Sequence, residues 1–107
     1  MGQTRYGWSL EYANINAAAS GSQVLIAASP GHKLRVCCMF LRADDVVTAQ
    51  FFDGVTALGG TMQLTDGDTV PLPINEYGWF ETSSGAALNL TLSAAKQVSG
   101  WIGYMKA

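Results

Sequence analysis

Ser93 and Lys96, in the stretch "TLSAAKQVSG", stand three residues apart, the S-x-x-K spacing with which acylating serine enzymes set a nucleophile beside its base. That chemistry needs the serine at the start of a helix, so that the lysine one turn later lies next to it. Here the serine follows Leu88-x-Leu90-x-Leu92, a strand pattern, and precedes the alternation Val98, Gly100, Ile102, Tyr104. The companion motifs S-D-N and K-T-G are absent. Ser93 to Lys96 therefore reads as a turn joining two strands.

The other reactive residue types fare no better. His32 is the only histidine and sits in the turn "SPGH", so a Ser-His-Asp site has no visible serine partner for it. One histidine also leaves no histidine-rich metal set. Asp44-Asp45 and Asp66-x-Asp68 lack the full D-x-D-x-D-G loop and its distal glutamate, and they read as turn caps. Cys37 and Cys38 are adjacent in a β-type run, where neighbouring side chains point to opposite faces and cannot bridge. They read as small hydrophobes in a reducing compartment. Asn89-Leu90-Thr91 matches the glycosylation acceptor pattern but falls mid-strand. The expectation is a protein that is not an enzyme and uses neither cofactor nor metal.

The elements that would position these residues have a dominant period of two. Tyr6, Trp8, Leu10 and Tyr12 alternate with smaller or polar residues, as do Leu88, Leu90 and Leu92. "QVLIAA" and "KLRVCCMFLR" are more continuously apolar, as strands buried on both faces tend to be. Turn signals punctuate the chain: Pro30-Gly31, Ala43 to Asp45, Asp53-Gly54, Asp66 to Asp68, Ser83 to Gly85 and Ser93 to Lys96. The pattern predicts about eight strands, near residues 6–12, 23–28, 33–42, 46–53, 61–65, 78–82, 87–92 and 98–105. Gly59-Gly60 predicts a loop or bulge, and "TVPLPIN" with Pro71 and Pro73 an edge strand or extended connection. The fold class that follows is all-β, an antiparallel β-sandwich or barrel.

Composition narrows the function classes. A chain of 107 residues has room for one core, and its 49% hydrophobic content is enough to fill it. Charged residues make up 13%, about half the usual ~25%. Small neutral residues must then cover much of the surface, which points to burial against other subunits. Arg5, Lys33, Arg35, Arg42, Lys96 and Lys106 are scattered, so no basic patch for nucleic acid is visible. No apolar run approaches the ~20 residues that span a bilayer. The start "MGQTRYGW" lacks the apolar stretch of a signal peptide, so export by that route is not expected.

The C-terminal half resembles a family. Trp79, Phe80, Glu81 and Thr82 match a G-W-F-E-T corner. Gly85, Ala87, Leu88, Asn89, Leu90, Leu92, Ser93 and Ala95 match G-x-A-L-N-L-x-L-S-x-A, and Val98, Gly100 and Tyr104 a closing V-x-G-x-x-x-Y. Across residues 23–107 the chain is similar to small structural proteins of tailed-phage virions. The resemblance implies a jelly-roll-like sandwich over 23–107 that serves as a capsid cement (decoration) subunit. Its partners would be the major capsid protein and copies of itself, as a homotrimer on the capsid surface, made in the host cytoplasm. The rival is a tail-associated carbohydrate- or receptor-binding module in which Trp8, Trp79 and Trp101 meet the ligand. "VCCM" stands where such sequences carry plain aliphatics. Residues 1–22 fall outside the resemblance. They are expected to be an arm, or a first strand plus linker, with Tyr6, Trp8, Leu10 and Tyr12 as candidate subunit-interface residues.

Overall fold

The structure, a computed structural model, describes residues 4–5 and 8–9 by their backbone and residues 10–54 and 56–107 in full. Among the described residues, eleven strands run in chain order: β1 (Thr4–Arg5), β2 (Trp8–Ser9), β3 (Glu11–Ala17), β4 (Gly21–Ile26), β5 (Leu34–Ala43), β6 (Val47–Asp53), β7 (Thr56–Leu64), β8 (Thr69–Leu72), β9 (Phe80–Glu81), β10 (Leu88–Leu92) and β11 (Val98–Lys106). There is no helix among the described residues.

Period-two strands with one dry face must cover that face, and they do so as two antiparallel sheets. One sheet has the order β4-β10-β6-β7; the other runs β3-β11-β5-β8, with β9 sharing the outer side of β5 with β8. Leaving aside the separate β1–β2 hairpin and the two-residue β9, the eight remaining strands pair first with last, second with seventh, third with sixth and fourth with fifth. This is a long ribbon folded at the β6–β7 hairpin and rolled into a jelly-roll sandwich. The inward rows Leu88, Leu90 and Leu92 of β10 and Ala49 and Phe51 of β6 meet Leu34, Val36, Met39 and Leu41 of β5 and Ile102 of β11.

The expected sandwich is therefore present, with differences in detail. The sequence pattern placed a strand at 6–12 and read residues 1–22 as an arm, or a first strand plus linker. Instead β3 covers Glu11–Ala17 and pairs with β11 from Tyr104 to Val98. Its inward row is Ala13, Ile15 and Ala17, two of them alanines too small to produce a clear hydrophobic alternation. The sandwich thus begins at Glu11 rather than at residue 23. Another difference is that β7 spans Thr56–Leu64 and runs through Gly59-Gly60, which form a bulge opposite Gln50. Gln50 ties that bulge down, donating through Nε2 to Gly59 O (2.9 Å) and accepting from Thr61 Oγ1 (3.3 Å). Finally, Asp66 to Asp68 signalled a hairpin, but the turn carries the chain from one sheet to the other. Asp68 Oδ2 holds it by accepting from Thr65 N and Oγ1. Pro71 lies in edge strand β8, whose one strand partner is β5.

The adjacent cysteines have a physical account. The pairing of β5 with β11 shifts register between Gly103 and Tyr104, which pair with Cys38 and Val36, so Cys37 is the extra residue of a bulge. Cys37 is fully buried, and its thiol lies 3.7 Å from Arg35 O. Cys38 points to the outer face, yet it is only 5% exposed because Gly103 beside it lets the Tyr12 ring close over the sulfur. Any side chain at Gly103 would run into Cys38 Sγ and Tyr12. Small side chains fit this bulge where large aliphatics would overfill it. Gly103→Ala is expected to cost about 1–3 kcal/mol in urea unfolding, as overpacked sites do. Combining it with Cys38→Ala should recover part of that loss, and strict additivity of the two costs would contradict the packing argument.

Candidate functional site

The reactive residues singled out by sequence are held apart or engaged in structure. Ser93 follows β10 and extends its ladder to β6: Ser93 N donates to Thr48 O (3.0 Å), and Thr48 N donates to Ser93 Oγ (2.9 Å). Lys96 turns away to an ion pair with Asp45, Nζ to Oδ2 at 3.2 Å. The Asp45 carboxyl is held below its ordinary range, first by the Val46 N–H that it accepts and then by Lys96. The hydroxyl thus serves a backbone amide and the ammonium a carboxylate, with no base aimed at the serine.

His32 and Ser29 do meet, with Nδ1 and Oγ 3.2 Å apart, a pairing the sequence reading did not foresee. Both lie in the exposed turn, where His32 N also donates to Ser29 O. No group of three or more His, Cys, Asp or Glu side chains among the described residues is placed to hold a metal ion. Asp44 faces Arg42 across 3.8 Å. Asp53, buried at the end of β6, accepts from Ser83 N and Oγ at 2.9 and 2.8 Å and ties the segment after β9 to the opposite sheet. Burial pushes both the Cys37 and Cys38 thiols up, so neither is poised as a thiolate. Asn89, the acceptor-pattern residue, lies on central strand β10 and donates through Nδ2 to Gly54 O.

What the structure does gather is apolar surface. On the outer face of the five-stranded sheet Trp101 of β11 stands opposite Phe40 of β5, Phe40 opposite Pro71 of β8, and Tyr12 of β3 opposite Gly103. Tyr12, Trp101 and Phe40 are 64%, 42% and 36% exposed. Tyr12 and Trp101 meet edge to face, with ring centroids 5.9 Å apart and planes inclined by 68°. Along the β8–β9 connection Ile74, Tyr77 and Trp79 are also exposed, and Trp79 Nε1 donates to Pro73 O. The strip ends in an ion cluster in which Glu81 meets Arg35 (3.1 Å) and Lys33 (3.6 Å).

The interface residues anticipated from the sequence meet this strip at one point. Tyr12 belongs to it. Leu10 is half-buried before β3, Trp8 is described by its backbone in the β1–β2 hairpin, and Tyr6 lies outside the described residues. Sequence reading missed Phe40, because "VCCMF" looked buried throughout. The bulge at Cys37 is what turns Phe40 outward.

This jelly-roll sandwich is similar to a chain from the Bacillus endospore appendages, described as a novel family of disulfide-linked pili. The TM-score is 0.54 at 13% identity, covering 91% of this chain and 84% of that one. At that identity the likeness shows a shared fold alone. No family model and no curated protein matches the chain.

Two measurements check the assignments made here. Ser93→Ala should destabilise the fold by about 0.5–1.5 kcal/mol, the value of one hydrogen bond to a backbone amide, and an acylating serine probe should leave the native protein unlabelled. A Lys96-dependent label on Ser93 would reverse the reading. In the native protein both cysteines should stay silent to a thiol-specific reagent at pH 8 and react stoichiometrically once denatured, since burial opposes ionisation and access alike.

Proposed function

We propose that the chain is a non-enzymatic structural subunit of a tailed-phage virion, a capsid cement protein. In this role it packs against the major capsid protein and copies of itself, with a homotrimer as its unit. The observation that carries this reading is the aromatic strip Tyr12–Trp101–Phe40–Pro71, left open on a chain that holds only 13% charged residues. A sheet face of this kind gains about 25 cal/mol per Å² of apolar area when covered, before ordering costs are subtracted. The engaged state of Ser93, Lys96 and the two cysteines supports a role in packing rather than turnover. The endospore-appendage chain, a pilus protein by its description, also belongs to an assembly, which fits a sandwich that works by association.

The rival reading is a tail-associated carbohydrate- or receptor-binding module, in which a sugar ring would stack on the flat face of an exposed tryptophan such as Trp79 or Trp101. Tyr12 and Trp101 meet edge to face with planes inclined by 68°, so this pair offers no single flat platform for a sugar ring.

Fractionated phage particles test the reading. The chain should sediment with heads at hundreds of copies per particle. A few copies, or a place in tail fractions, would move it to the rival. Trp101→Glu should keep the β-type circular dichroism and lose head binding by at least tenfold, because the residue is exposed in the free subunit and buried in the bound one.

A further inference from the structure

Trp79 differs from the other exposed aromatics in how firmly it is held. Its indole Nε1 donates to Pro73 O (2.8 Å), and its backbone N donates to Val36 O (2.8 Å). The segment between Pro73 and Trp79 is fixed too. Asn75 N donates to Cys37 O, while Asn75 accepts from Tyr77 N through its side chain and from Gly78 N through its carbonyl. With the one polar atom of the ring engaged, what the indole leaves exposed is apolar. A ring held in this way gives up little freedom when something stacks on it.

Charged groups stand beside it. Phe80 packs inward against Phe51, so its neighbours Trp79 and Glu81 both face outward, about 6–7 Å apart along the chain. Arg35 of β5 lies opposite Glu81. Its stem runs under Gly78, where an added Cβ would collide with Arg35 Cγ and Cδ. Arg35 uses only Nε on Glu81 (3.1 Å), and its two terminal amino groups make no hydrogen bond among the described residues. The Lys33 ammonium is 3.6 Å from the same carboxylate, longer than a hydrogen bond. The Glu81 carboxyl is held below its ordinary range, first by the bond from Arg35. At neutral pH the group thus carries two positive charges and one negative, a local surplus of positive charge on a chain whose formal charge is −2.

A fixed apolar ring next to unengaged cationic donors matches a pyranose that carries a carboxylate. One face of such a sugar is C–H surface that can lie on an indole, and its rim is polar. The carboxylate has the planar shape that a guanidinium end takes with two parallel bonds. A wholly apolar partner would cover those donors and leave them unpaired. A bare anion would gain nothing from the ring.

We propose that Trp79, Arg35 and Glu81, with Lys33 beside them, form a binding site for a carboxylated sugar of the hexuronic acid class. The sugar ring stacks on Trp79, its carboxylate meets the terminal amino groups of Arg35, and a hydroxyl donates to Glu81. Lys33 adds charge attraction. The site lies on the β9 side of β5, whereas Tyr12 and Trp101 lie on β3 and β11 beyond its other side. The inference goes beyond the reading as a cement subunit, since a head protein can carry such a site as well as a tail module can.

Calorimetric titration of the purified full chain with methyl β-glucuronide and methyl β-glucoside tests the site, because the two sugars differ at the carboxylate alone. The glucuronide should saturate one site with a Kd on the order of 1 mM, as suits a ligand of its size. The glucoside should bind about tenfold more weakly or worse, for want of one charge-assisted contact. Trp79→Ala should lose both sugars, and Arg35→Gln should bring the glucuronide down to the level of the glucoside, each with the β-type circular dichroism kept. Lys33→Gln, a milder change at an exposed position, should weaken the glucuronide alone by about two- to fivefold. No saturable binding of the glucuronide, equal binding of the two sugars, full binding in Trp79→Ala, or displacement of the glucuronide by an equal concentration of acetate would each overturn the site. None of these outcomes moves the chain between head and tail fractions, so failure here is distinguishable from failure of the cement reading.

Discussion

Leu88, Leu90 and Leu92 on one sheet face Leu34, Val36, Met39 and Leu41 on the other, and all seven are almost completely removed from water. Neither sheet could stand without this contact, because a sheet with one dry face has nowhere else to put it. The partners come from opposite ends of the chain: Ala17 pairs with Val98, and Glu11 with Tyr104. Closing such distant pairs costs loop entropy before any apolar area is covered, which accounts for a cooperative unit in which β6–β7 is the one local hairpin between principal strands. The turns that look like hairpin signals in the sequence mostly cross between sheets, and side chains rather than ladders hold several of them, as Asp68 does for Thr65 and Asp53 for Ser83.

The same division into an inner and an outer face organises the surface. With charged groups concentrated on the other sheet and the connections, the four-stranded sheet shows water hydroxyls, amides and a few aliphatics. Such a surface is cheap to dehydrate, whereas burying an unpaired charge is not. The aromatic strip lies on the other sheet. The low charge content is what the proposed packing role would draw on.

The bulge at Cys37 shows how one extra residue reshapes a surface. Without it, Phe40 and the residues before it would keep one alternation along β5. With it, Val36 and Met39 both point inward, and Cys38 and Phe40 reach the outer face. Gly103, Cys38 and Tyr12 then form a stack in which each small volume permits the next. The unusual cysteine pair is thus a packing solution, with burial keeping both thiols protonated.

Period-two alternation and regularly spaced turn residues determined, by themselves, that this protein is an antiparallel all-β sandwich or barrel, because side chains on successive strand residues face opposite ways whatever the rest of the chain does. They also determined that Ser93 to Lys96 is a turn and that the segment containing Pro71 is an edge strand or an extended connection, which the structure resolves as edge strand β8. The tertiary structure alone decided that residues 11–17 are a sheet strand, since alanines become core only when another sheet covers them. It alone decided that Phe40 is exposed, because the register shift that turns it outward comes from the pairing of β5 with β11, whose partners, such as Phe40 and Trp101, are far apart in the chain. The glycine at 60 is legible in the sequence as a turn or bulge signal. Only the tertiary structure decided that it sits in a bulge within one continuous strand, because the Gln50 bonds that hold the bulge come from β6.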